Sequence, residues 1–129
     1  MKVLTLNCGS SSLKYSLWET KKPQKISSGI VERVGLEGSF IEHEDASKTR
    51  SRIERPIADH KGAIYLVLKT LTEPPPNRTG NPIFIEAVGH RVVHGGNNLV
   101  RSTIINDSVK SEIAKFSELA PLHLSLIHI

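Results

Sequence analysis

Residues 7–14, NCGSSSLK, bring together the kinds of group that hold a phosphate. Gly9 lets the backbone approach an anion with no side chain in the way. Successive amides of such a turn form a concave set of donors for phosphate oxygens, and the hydroxyls of Ser10, Ser11 and Ser12 add side-chain donors. Lys14 stands two residues beyond Ser12, which in an extended strand puts both side chains on one face. Its ammonium then acts as a point charge against the anion. Asn7 offers a neutral oxygen suited to a magnesium ion that keeps most of its waters. The G-x-x-x-x-G-K spacing of a Walker loop is absent, and a serine-rich hairpin turn without any ligand accounts for the same residues. Cys8 reads as a small residue in a tight place, since thiol reactivity needs an accessible, electropositive setting.

A second cluster lies at residues 89–96, GHRVVHGG. In extended backbone Arg91 and Val93 share one face, and His90, Val92 and His94 the other. A guanidinium fork beside an aliphatic group matches a short carboxylic acid: the fork grips the carboxylate with two hydrogen bonds, and Val93 covers the methyl. Gly95 and Gly96 turn the chain away without crowding. His90 and His94 also have the i, i+4 spacing of zinc ligands on a helix. However, the segment is β-branched, ends in glycines and lacks the glutamate of H-E-x-x-H. In the plainer reading both rings hydrogen-bond loop backbone.

Periodicity supplies the elements that must position these groups. Short strands are expected at residues 3–6, 14–18, 26–34, 39–43 and 48–55. Turns are expected at Gly35-Leu36-Glu37-Gly38 and Glu44-Asp45-Ala46. Arg50 and Arg52 alternate with Thr49, Ser51 and Ile53, the pattern of a solvated face on an edge strand. Asp59 should cap a helix whose buried face carries Ala63, Ile64, Val67, Leu68 and Leu71, stopped by Pro74-Pro75-Pro76. Residues 83–88 read as a buried strand. Asn106-Asp107-Ser108 offers caps for a last helix with Val109, Ile113 and Phe116 inward. Several strands, then helix, strand and helix, imply a mixed sheet in an α/β or α+β domain.

Composition narrows the class. At 129 residues the chain is one ordinary domain or part of a larger one. Aromatics make up 5%, so the core must be mostly aliphatic. A net charge of +4, with no interleaving of basic and aromatic residues, does not argue for nucleic acid. A single cysteine excludes an internal disulfide and fits a reducing cytoplasm. The apolar run after Lys2 is too short for a signal segment or a membrane span, so a cytosolic protein starting at Met1 is expected.

Three segments in order, MKVLTLNCGSSSLKYSLW, IEAVGHRVVHGG and ELAPLH, resemble the acetate kinase family, within the superfamily of acetate and sugar kinases, heat-shock chaperones and actin. The resemblance implies a partial ribonuclease-H-like (actin-like ATPase) α/β domain, a mixed β-sheet with flanking helices. It implies reversible phosphoryl transfer between ATP and acetate, giving acetyl phosphate and ADP, with magnesium, in a cytoplasmic homodimer. Asn7 matches the family's magnesium-associated asparagine. Ser10, Ser12 and Lys14 match residues around the transferred phosphate and ATP. Arg91 matches the arginine on the substrate carboxylate, Val93 and Leu122 match the walls of the methyl pocket, and His123 matches a histidine near the site. Propionate kinase is the close alternative, with the SSSLKY form favouring acetate or propionate over butyrate. A phosphate- or nucleotide-binding module without catalysis is the alternative of another class.

The sequence departs from the family at Asn97-Asn98, where an acidic residue usually follows the two glycines. The resemblance covers residues 1–123, expected to be the incomplete first part of a kinase domain. The family's later catalytic aspartate, transition-state histidine and arginine, magnesium-binding glutamate and adenosine segment have no match, so no residue is assigned a direct catalytic role and the chain alone is expected to be inactive. Residues 124–129, LSLIHI, are expected to be a non-native tail: the codons CTG-TCT-CTT-ATA-CAC-ATC encode them and resemble a transposon-derived sequencing adapter.

Overall fold

The computed structural model describes residues 1–73, 83–91 and 101–115. The Pro74-Pro75-Pro76 stop, Val93, His94, Phe116, Leu122, His123 and the 124–129 tail lie outside them.

Alternation of apolar and polar residues builds the first hairpin. In β1 (Lys2–Cys8) Leu4, Leu6 and Cys8 are buried, while Thr5 and Asn7 are exposed. In β2 (Ser12–Glu19) Leu13, Tyr15 and Leu17 are buried, and Lys14 and Trp18 face out. β3 (Gln24–Glu32), β4 (Phe40–Glu44) and β5 (Arg50–Glu54) continue the antiparallel run. β6 (Ala87–His90) adds to β1 in parallel. The order is β5-β4-β3-β2-β1-β6, the mixed α/β sheet expected.

The turn after β3 has three left-handed residues, Arg33 at φ 57° and Gly35 and Gly38 at 75° and 77°, and glycine adopts that conformation without strain at the last two. Along β5 the solvated-face reading holds: Arg50 pairs with Glu44, and Arg52 pairs with Glu42 and Glu54 while its guanidinium lies 3.8 Å above the Phe40 ring. At the other end of the hairpin the Met1 ammonium donates to Glu19 at 2.8 Å. That hydrogen bond, followed by one from the Lys21 amide, holds the Glu19 carboxyl down to about 2.

Asp59 caps α1 (His60–Thr72), its carboxylate accepting from the Gly62 amide at 2.8 Å. α1 packs Ala63, Leu66, Val67 and Leu71 against the sheet's inner residues in one aliphatic core with Leu4, Leu13, Leu17, Val31 and Ile41. Each fully buried leucine there contributes about 1.5–3 kcal/mol. Leu66 therefore joins the expected face, whereas Leu68 is half-exposed. The stripe follows positions i, i+3, i+4 and i+8 from Ala63, and Leu68 falls at its rim. In α2 (Asp107–Lys115) Asn106 accepts from the Val109 amide at 2.9 Å, and Ile113 is buried.

The strand expected at 83–88 is displaced. Ladder pairing runs over Ala87–His90, and Val88 is 56% exposed. β6 is an end strand of the described sheet, as β5 is at the other side, so one of its edges has no described neighbour. Ile83 and Ile85, the apolar residues that suggested a strand, pack onto the core from the segment leading into it.

β3 pairs with β2 through a position, Gly29 opposite Tyr15, that admits only glycine. A Cβ on Gly29 would overlap the Glu42 carbonyl oxygen and the Tyr15 ring. Tyr15, 2% exposed, shares a hydrogen bond of 2.6 Å between its hydroxyl and His43 Nδ1, with the two rings stacked. Burial lowers the His43 pKa from 6.5, with the Asp45 charge opposing it, and burial also raises that of Tyr15. The fold therefore favours neutral His43, and that contribution is complete above the unfolded value near 6.5. It is lost as pH falls through the lower folded value. Melting temperature is accordingly expected to drop below about pH 6.5, and to drop less in His43→Asn, which retains a hydrogen-bonding group but cannot titrate. Equal acid sensitivity in the two proteins would remove His43 as the cause.

Candidate active site

The turn is tighter than the sequence suggested. Asn7 and Lys14 are strand residues, paired directly across the β1–β2 ladder, and only Gly9, Ser10 and Ser11 lie between the strands. The Gly9 amide donates to the Ser12 carbonyl at 2.8 Å, so it is withdrawn from the expected row of phosphate donors. Ser10 sits exposed at the tip, and a Cβ on Gly9 would come within 2.6 Å of the Ser12 hydroxyl. Ser12 shares the Lys14 face of β2 by strand parity.

Arg91 follows β6 and stays on its ladder, its amide donating to the Leu6 carbonyl at 3.0 Å. Since Leu6 pairs with His90 in parallel register, Arg91 stands beside Asn7. Lys14, Asn7 and Arg91 thus form a row across three adjacent strands, with about 5 Å per strand step. All three line one open cleft of about 380 Å³ together with Thr5, Ser16 and Gly89. The described residues lining this cleft include two cations and no carboxylate, so an anion meets no like charge from them.

His90 falls on the opposite, Leu6 side of the sheet. A carbonyl only accepts, so the 2.7 Å contact between its Nδ1 and the Arg91 carbonyl makes Nδ1 the donor, fixing backbone beside the guanidinium. That is the plain reading of this histidine; its Nε2 is buried without a partner among the described residues. Cys8 is buried, and burial pushes its thiol pKa up, in keeping with a space-filling role. Val93, Leu122 and His123 lie outside the described residues.

Sequence reading missed three contributors. Thr5 and Ser16 line the cleft, and strand parity from Asn7 and Lys14 points to both. His60 lies against the turn from α1, its Nε2 2.8 Å from the Gly9 carbonyl, and no local spacing signals that contact.

The model of the acetokinase family matches residues 2–127. The chain belongs to the acetokinase family. It is 47% identical over 123 residues to the acetate kinase of Halothermothrix orenii, covering 95% of this chain and 31% of that protein. It is 44% identical over 123 residues to the acetate kinase of Clostridium beijerinckii, with the same coverage. Among solved structures it is similar to Porphyromonas gingivalis acetate kinase, at 37% identity and a TM-score of 0.85 over 96% of this chain and 31% of that one. It is also similar to a propionate kinase from Francisella tularensis, at 28% identity and a TM-score of 0.81 over 96% and 30%. The chain therefore spans about 31% of the length of the curated relatives it matches. Its six-stranded mixed sheet with two described helices is the corresponding part of the acetokinase, actin-like ATPase fold.

Proposed function

We propose that this chain forms the anion-holding wall of an acetate kinase, which transfers the terminal phosphoryl group of ATP reversibly to acetate. An acetate oxygen forms a bond to phosphorus as the bond to ADP breaks, and acetyl phosphate leaves. The observation that carries this reading is the row Lys14, Asn7, Arg91 beside the serine turn. Phosphoryl transfer between two anions depends chiefly on positioning and charge neutralisation. Lys14, Ser10 and Ser12 take the transferred phosphate, and Arg91 takes the carboxylate and draws it towards the phosphate. Val93 and Leu122 cover the methyl group, with His123 nearby.

Magnesium supplies charge neutralisation at the phosphates when bound. Asn7 would hold it, as a neutral oxygen donor exposed on the cleft face. Among the described residues no three His, Cys, Asp or Glu side chains gather into a metal cage, which fits an ion bound mainly by phosphate and water. The same reading places the whole enzyme in the cytoplasm as a homodimer. No described helix is long and apolar enough to cross a membrane.

The test is a hybrid in which residues 1–123 replace the matching part of the Halothermothrix orenii protein. ATP- and acetate-dependent formation of acetyl phosphate is expected, while the 129-residue chain alone forms none. An inactive, folded hybrid that still binds phosphate would favour the non-catalytic module. The propionate kinase likeness keeps propionate as a second substrate, since one methylene changes pocket affinity by only about 1–3 kcal/mol. Rates with both acids on the hybrid rank them.

A further inference from the structure

We propose that His60 is a positioning residue that aims the Ser10 amide at the anion. This rests on the reading of the serine turn as a phosphate cradle. His60 opens α1, is 8% exposed, and stands 51 residues from the turn it touches. A carbonyl oxygen only accepts, so the 2.8 Å contact requires that Nε2 carry a proton and donate to Gly9.

The Gly9 carbonyl and the Ser10 N–H belong to one planar peptide unit, and the described residues contain no cis peptide bond. In a trans peptide these two groups point in opposite directions. Drawing the Gly9 oxygen towards α1 therefore drives the Ser10 N–H away from α1, to the exposed side of the tip. Two further contacts hold the turn. The Gly9 amide donates to the Ser12 carbonyl, and the Val34 amide donates to the Ser11 carbonyl at 2.9 Å. Both are backbone bonds that leave the Gly9–Ser10 peptide plane free to rotate about its flanking bonds. The His60 ring supplies the remaining restraint on that plane, and it does so from a rigid mount: α1 is capped by Asp59 and packed on the core through Ala63 and Val67.

A preorganised donor binds an anion without first ordering itself. The variant His60→Leu keeps an apolar side chain at the head of α1 but cannot donate. His60→Gln retains an N–H at nearly the distance of Nε2.

The test follows the amide resonances of the ¹⁵N-labelled 129-residue chain as inorganic phosphate is added. Trp18 is the sole tryptophan, and its indole N–H bonds Thr5 at 3.3 Å, so its single indole resonance reports whether the sheet is intact. The Ser10 amide of the unmodified chain is expected to shift saturably with phosphate. His60→Leu should raise the apparent Kd by about tenfold, the effect of losing one charge-assisted donor, and His60→Gln should restore it. If His60→Leu disturbs the indole resonance, His60→Gln decides the matter: restored binding supports the proposal, and a folded His60→Gln that fails to bind overturns it. Unchanged phosphate affinity in a folded His60→Leu also overturns it while leaving the cradle intact. A Ser10 amide that ignores phosphate in the unmodified chain removes the cradle and the proposal together.

Discussion

Arg91→Ala, placed in the hybrid enzyme, is expected to lower kcat/KM for acetate by about 10²–10³-fold, the loss typical of removing one preorganised charged donor from a developing anion. The substrate carboxylate then enters a cleft in which Lys14 is the only described cation. Arg91→Lys should fall between the two, because an ammonium retains the charge but loses the planar fork that binds two oxygens at once. KM for acetate should rise in both variants. Lys14→Ala is expected to act differently, cutting kcat by about 10²-fold with a smaller change in KM for acetate, since Lys14 faces the phosphate end of the row. Steady-state kinetics with acetate and ATP varied in turn separate the two patterns. An Arg91→Ala enzyme with normal KM for acetate would remove the carboxylate role.

The second large effect is on folding. Gly29→Ala is expected to destabilise the protein by about 1–3 kcal/mol or more, as overpacking of a tight core does. The added methyl would collide with two groups that cannot yield. The Glu42 carbonyl lies in the β3–β4 pairing, and the Tyr15 ring is buried and tied to His43. Relief would require the two strands to separate or Tyr15 to leave the core. Thermal melting and soluble yield of the variant against the unmodified chain measure the effect, and an unchanged melting temperature would show that the packing around Gly29 is looser than described.

Much of the site was legible because strand parity is a strict rule. Ser12 and Lys14 were expected on one face, opposite Tyr15 and Leu17, and the burial pattern of β2 is that pattern. Asp59 was legible as a cap because a carboxylate ahead of an apolar stripe has few other local uses. The register was less legible. A short turn can close at several positions, and only the Gly9-to-Ser12 bond fixes Asn7 opposite Lys14. The sequence alone ended the first strand near Asn7 and opened the second at Lys14, without pairing the two. The exposure of Val88 was hidden because an apolar, β-branched run looks the same at a sheet edge as in its interior, and the difference lies in which strands flank it. His60 was invisible for a related reason, since its partner is 51 residues away and the contact depends on how α1 docks.

Lys14 on the phosphate and Arg91 on the carboxylate serve one transition state in one cleft, and a double-mutant cycle in the hybrid shows whether they do. Groups that engage the same transition state are not additive, whereas independent sites add within about 0.3–0.5 kcal/mol. The account predicts that Lys14→Ala combined with Arg91→Ala loses far less kcat/KM than the product of the two single losses. Losses that multiply would mean that the two cations do not meet in one transition state, and would contradict this.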